Sequence, residues 1–87
     1  MSLEVRYSRS FIEDLKVIES VAYQQVYDFV FIKFSKISYL QELPELRQLG
    51  TSTIFYRFTV ENYLIGIEVT GQIVKFIRIL PLSLIHI

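Results

Sequence analysis

Residues 53–80 read TIFYRFTVENYLIGIEVTGQIVKFIRIL, and this stretch decides the fold. Alternating β-branched and aromatic residues fill three segments, while Glu61-Asn62 and Thr70-Gly71-Gln72 supply the turn chemistry that lets the chain reverse. The segments predict three successive antiparallel strands, a meander. Strand side chains alternate with a period of two, so Ile54, Tyr56, Phe58 and Val60 share one face and Phe55, Arg57 and Thr59 the other. Arg57 is therefore displayed opposite the apolar row.

Working outward towards the amino terminus, residues 43–50, LPELRQLG, read as a connector with one short helical turn. Pro44 suits a first helical position, Gly50 a stop, and Leu43, Leu46 and Leu49 pin the turn to the sheet. From Val21 to Leu40 two signals compete. Tyr23, Val26, Val30, Phe34 and Ile37 keep helical spacing, but Phe29 to Ile32 is a continuous apolar block of high strand propensity. The length, the absence of Gly and Pro, and polar Gln24, Gln25, Asp28, Lys33 and Lys36 on the other side favour helix. Before it, Ser10 with Glu13 fits a capping box, so a helix begins near Phe11 and ends near Ser20. Its buried stripe is Phe11, Ile12, Leu15 and Ile18, with Glu13, Asp14 and Lys16 turned away. Leu3 to Tyr7 makes a short first strand. On the carboxy-terminal side Pro81 interrupts the ladder, and the apolar tail LSLIHI follows. The expected fold is one α+β domain over residues 1–87, with two N-terminal helices packed on one face of a small antiparallel sheet.

Eighty-seven residues, 52% of them hydrophobic and 15% aromatic, carry more apolar surface than so small a core absorbs, which predicts a covering partner. Nine Lys and Arg balance nine Asp and Glu, so there is no general field for polyanions and any nucleic-acid contact must be local. The absence of cysteine excludes disulfides, thiolate nucleophiles and zinc–sulfur sites. No nucleotide, metal or nucleophile motif appears, and no cofactor is expected. MSLEVRYSRS carries charges rather than the apolar core of a signal peptide, and Phe29 to Ile32 is too short to span a bilayer. A soluble cytoplasmic protein with no membrane contact is the expectation.

On the residues alone, Arg57 has two readings: a solvated arginine guarding an exposed strand, or a phosphate contact. Lys75 and Arg78 fall on opposite faces by alternation, so at most one joins Arg57. Arg78 shares parity with Val74, Phe76 and Leu80 and is a candidate either to be half-buried or to pair with Glu68. Arg47 is ordinarily a connector charge, with contact to a nucleic-acid backbone as its functional reading. His86, in an apolar tail, is more often packed or merely exposed than catalytic. The tyrosines and phenylalanines follow core periodicity rather than a base-stacking pattern.

The order of short strand, two helices, leucine-rich connector and meander resembles the RelE/ParE superfamily of bacterial type II toxin–antitoxin toxins. Ser10-Phe11-Ile12-Glu13-Asp14-Leu15 looks like the family's opening helix. Leu46 to Leu49 followed by Phe55-Tyr56-Arg57-Phe58 looks like its leucine connector and Tyr-Arg strand, and Tyr63 to Ile67 and Ile73 to Leu80 are similar to its last two strands. The resemblance implies an endoribonuclease that cuts messenger RNA in the ribosomal decoding site without a metal and represses translation. It implies a cognate antitoxin, the ribosome and mRNA as partners, and a homodimer when free. Catalysis would fall to Arg57, as fixed positive charge at the phosphate, and to His86, near the family's carboxy-terminal Tyr or His, as the proton-transfer group. Arg47, Lys75 and Arg78 would be further nucleic-acid contacts. Leu64 and Leu82 stand where family members usually carry basic residues. That departure keeps a second reading alongside the first, a noncatalytic interaction protein of the same fold, either gyrase-directed like ParE or retained to bind antitoxin.

Overall fold

In chain order the elements are β1 (Glu4–Tyr7), α1 (Arg9–Lys16), α2 (Ser20–Asp28), β2 (Arg47–Gln48), β3 (Phe55–Val60), β4 (Tyr63–Thr70) and β5 (Ile73–Pro81). They come from a computed structural model that describes residues 3–18, 20–37, 42–43, 46–51 and 53–84. The meander forms where the alternation places it. Val60 pairs with Tyr63 and Thr70 with Ile73, leaving two-residue turns at Glu61-Asn62 and Gly71-Gln72. Each turn opens on a left-handed residue, Glu61 at φ 54° and Gly71 at φ 61°; only glycine adopts that region without steric cost.

Among the described residues the sheet has five strands in the order β1-β5-β4-β3-β2 and is mixed, not antiparallel as expected. β1 runs parallel to β5, with Glu4 opposite Ile73 and Tyr7 opposite Phe76. Parallel neighbours need a long crossover, and everything from α1 to β4 provides it. Alternation reports which face a residue takes but not the direction of a distant partner. β2 is a second departure: the expected helical turn near Leu46 is instead a short strand, with Arg47 opposite Arg57 and Gln48 opposite Tyr56. Pro44 lies outside the described residues. Leu43 is buried and Leu46 packs on the core, but strand alternation turns Leu49 to the other face, 40% exposed.

α1 starts earlier than the Ser10–Glu13 pattern suggests. Its cap is Ser8, extended at φ −77° and ψ 161°, whose Oγ accepts from the Phe11 amide at 3.0 Å. The same hydroxyl donates to the Ile77 carbonyl at 2.8 Å, fixing the helix start to β5. The expected stripe holds, with Phe11 and Leu15 buried and Ile12 and Ile18 packed beside them. In the second helical segment Val26, Val30 and Phe34 recur every four residues, a longer repeat than the 3.6 of an α-helix. The chain accommodates it by widening into a π turn at Phe29–Lys33 and tightening into a 3₁₀ turn at Phe34–Lys36, so all three stay buried.

Both helices cover the same sheet face. Phe76 is the centre of the core, with ring centroids 5.2 Å from Phe11, 5.0 Å from Phe34 and 5.5 Å from Tyr7. Phe58, Ile65, Ile67 and Val74 complete it from the sheet. Among the described residues no polar or charged side chain is buried, so the chemistry must sit on the surface. Among them, too, no helix is long and apolar enough to cross a membrane.

Candidate nucleic-acid interface

Residues directly opposite in a sheet present their side chains to the same face, so the pairings read out the surface away from the helices. Arg47 faces Arg57, Arg57 faces Gly66, and Gly66 faces Arg78. One row across four strands thus carries three arginines with a glycine among them. The neighbouring row holds Phe55, Glu68, Lys75 and Arg6, and the row on the other side Thr59, Leu64 and Leu80.

Arg78 joins this face because β5 is irregular. Ile67 faces Phe76 but the next residue back, Gly66, faces Arg78, so Ile77 is an extra residue and the strand changes parity there. Phe76 and Ile79 both point into the core, 0% and 4% exposed, leaving Ile77 and Arg78 together on the open side. Lys75 and Arg78 therefore share a face, against the expectation from alternation. The run Ile73-Val74-Lys75-Phe76-Ile77-Arg78-Ile79-Leu80 carried the signal: its apolar residues come in adjacent pairs every third position, which period two cannot produce.

Arg78 does not pair with Glu68. Its Nε and Nη2 donate to Asp14 of α1 at 2.7 and 3.3 Å, and the Asp14 carboxylate also accepts from the Ile79 amide at 2.8 Å. β1 ends at Tyr7, so this carboxylate takes over the edge of β5 that no strand reaches. The bonds and charge of Asp14 raise the Arg78 pKa further above its already high value, so its guanidinium stays charged. Arg6 is held by Glu4 at 3.1 Å. Among the described residues Arg47, Arg57 and Lys75 form no ion pair, and Glu68 is the one carboxylate in their two rows. A neutral chain thus presents a locally positive face.

Arg57 is half-buried at the middle of the row and Arg47 and Lys75 are exposed. His86 lies outside the described residues. Leu82 is half-buried in the 3₁₀ turn Leu82–Leu84. Leu64 is only 9% exposed although it lies on the open face, because it belongs to an apolar groove of about 320 Å³ with Leu49, Phe55, Ile77, Leu80 and the backbone of Gly66. Neither this groove nor Asp14 as the partner of Arg78 is legible in the local sequence pattern, because both join residues far apart in the chain. Taken together, the face offers fixed positive charge in a row beside an apolar trough. Guanidinium groups remain charged and match phosphate oxygens two at a time, so the row is suited to a phosphate-bearing strand.

No protein-family model matches the sequence, and no curated protein matches it. Solved structures do. The chain resembles one in the RelB–RelE antitoxin–toxin complex from Methanococcus jannaschii, with a TM-score of 0.75 at 24% identity over 90% of this chain and 91% of that one. For the RelBE2 toxin–antitoxin complex from Mycobacterium tuberculosis the TM-score is 0.73 at 15% identity, over 93% and 99%. For YafQ from Escherichia coli it is 0.70 at 15% identity, over 93% and 94%. The chain has a RelE-like fold.

Proposed function

We propose that a chain with this fold and this arginine row is the toxin of a type II toxin–antitoxin pair, an endoribonuclease that cuts messenger RNA on the ribosome and represses translation. The in-register row of Arg47, Arg57 and Arg78 carries the reading. In the cut, a ribose 2′-oxygen attacks its adjacent phosphorus, the bond to the 5′-oxygen breaks, and a proton must leave the first oxygen and reach the second. Negative charge accumulates on the phosphate meanwhile. Arg57, central in the row, supplies the fixed positive charge, worth about 2.7–4 kcal/mol of barrier for a preorganised stabiliser. Arg47, Arg78 and Lys75 hold the flanking phosphates, and His86 is assigned the proton transfer. The chemistry asks for no metal or other cofactor.

The partner in this reading is an antitoxin. The similar structures from M. jannaschii and M. tuberculosis are toxin–antitoxin complexes, and this chain exposes Val17, Val21 and Ile32 at 83%, 74% and 48% on its helical side, apolar surface that a partner helix or strand would cover. Without that partner the protein would pair with itself.

A second reading follows from Leu64. Where a nuclease of this kind would gain from charge, the groove is apolar, which favours a noncatalytic toxin directed at a protein such as gyrase. Controlled expression with separate readouts of protein synthesis and DNA replication decides. The nuclease reading expects translation to fail first, with transcript cuts mapped by primer extension on translating ribosomes. Loss of replication with translation intact overturns it.

A further inference from the structure

We infer that the apolar groove beside the arginine row is a nucleobase slot, holding the ring of one nucleotide of the strand whose phosphates the arginines hold. The inference rests on the nucleic-acid reading proposed above and adds the contact to a base that phosphate recognition leaves out.

The groove and the row are one structure. Gly66 and Arg78 belong to both, and Arg57 sits directly opposite Gly66. Arg57 and Arg78 are separated by one intervening strand, about 10 Å at ordinary sheet spacing. Between them the surface dips, because a Cβ on Gly66 would meet nothing within 4 Å. Leu64 forms a floor that is 9% exposed, and Phe55 stands at the rim with 36% of its surface exposed. A base presents apolar π-faces and polar edges, and stacking on aromatic and apolar side chains covers the faces while the edges stay in water. A trough of about 320 Å³ lined by Leu49, Phe55, Leu64, Ile77 and Leu80 suits such a ring. The cations on both sides favour an occupant that carries negative charge at its flanks, as a nucleotide in a strand does. Arg78 alone among the lining residues carries side-chain donors, and its Nε and Nη2 are turned to Asp14, so the slot takes a base chiefly by its face.

The test compares a short single-stranded RNA with an abasic strand carrying the same number of phosphates, by fluorescence anisotropy at low ionic strength. The parent protein binds the base-containing strand about 5- to 150-fold tighter, the range of one base–aromatic stack. Gly66→Val builds a strand-compatible side chain into the open floor, so it removes the difference while the abasic strand still binds, and its melting curve verifies the fold. Arg57→Ala weakens both strands alike. Equal binding of the two strands by the parent overturns the slot and leaves the phosphate row standing. Failure of both strands to bind overturns the slot together with the nucleic-acid reading. A base preference that survives Gly66→Val, with loss instead of binding to an acidic, apolar protein segment, makes the groove a protein contact and overturns the slot.

Discussion

Arg47 and Arg57 stand directly opposite one another on β2 and β3, two like charges on one rung, with no carboxylate bonded to either among the described residues. Like charges placed opposite each other weaken a strand pair, by about 0.2–1 kcal/mol before screening by salt. On the proposed reading, the phosphates of a bound strand are what neutralise the pair. Arg47→Thr and Arg57→Thr are therefore expected to melt slightly higher than the parent at low salt, a gain that shrinks as salt is added. Thermal denaturation across an ionic-strength series measures it, and a lower melting point at low salt refutes the argument.

Removing the central arginine should weaken the proposed function. Arg57→Ala is expected to reduce transcript cutting about a hundred- to a thousandfold with the fold intact, and His86→Ala by about ten- to ten-thousandfold, according to its share of the proton transfer. Growth arrest and primer-extension mapping of the same cultures provide the readout. Full toxicity in Arg57→Ala removes the nuclease assignment.

Asp14 has two tasks, and two substitutions separate them. Asp14→Asn keeps an acceptor for the Ile79 amide and loses only the charge facing Arg78, an exposed pair whose loss is expected to change stability little. Asp14→Ala leaves the amide of Ile79, a residue 4% exposed, without its partner, which costs about 1–3 kcal/mol. Urea denaturation of both variants is expected to show Ala well below Asn.

Helix capping gives a sharp comparison between neighbouring serines. Ser8→Ala removes the acceptor of the Phe11 amide and the bond to Ile77 and is expected to cost about 0.5–2 kcal/mol. Ser10→Ala, inside the first turn and exposed, is expected to be neutral or slightly favourable. Equal losses in the two would place the cap at the wrong serine.

Burial pushes the Tyr7 phenol above its ordinary value of 10.0, with its ring stacked against Phe11 and Phe76. The phenol ionises more easily in the unfolded chain, so its contribution is fully present below about pH 10 and is lost as pH rises through the unfolded and then the folded value. Stability should fall in alkali with this component, and Tyr7→Phe should flatten the fall. Chemical denaturation between neutral pH and strong alkali tests the sign.

What the sequence disclosed depended on the range of the interaction. Turns and alternation are local, and they placed the meander and Arg57 correctly. The Val26-Val30-Phe34 repeat revealed a buried helical face although not its widened turn. Partners far apart in the chain were hidden. Ser10 with Glu13 fits the capping box, yet the cap is Ser8, to which β5 offers a second bond, and nothing near Arg47 reveals that Arg57 is its neighbour. One inserted residue, Ile77, was enough to move Arg78 to the other face, and with it the composition of the candidate site.

β1 and α1 are tied to a distant strand: Ser8, between them, bonds to Ile77 of β5 across 69 residues of sequence. Such long loops slow folding, because ordering must precede the contacts that reward it. During synthesis β1 emerges well before β5, its one sheet neighbour among the described residues, which is also the strand that brings Arg78 into line with Arg57. The cationic face is thus completed only once β5 has emerged, and a nascent chain that stalls before Ile73 carries neither the five-stranded sheet nor the full row.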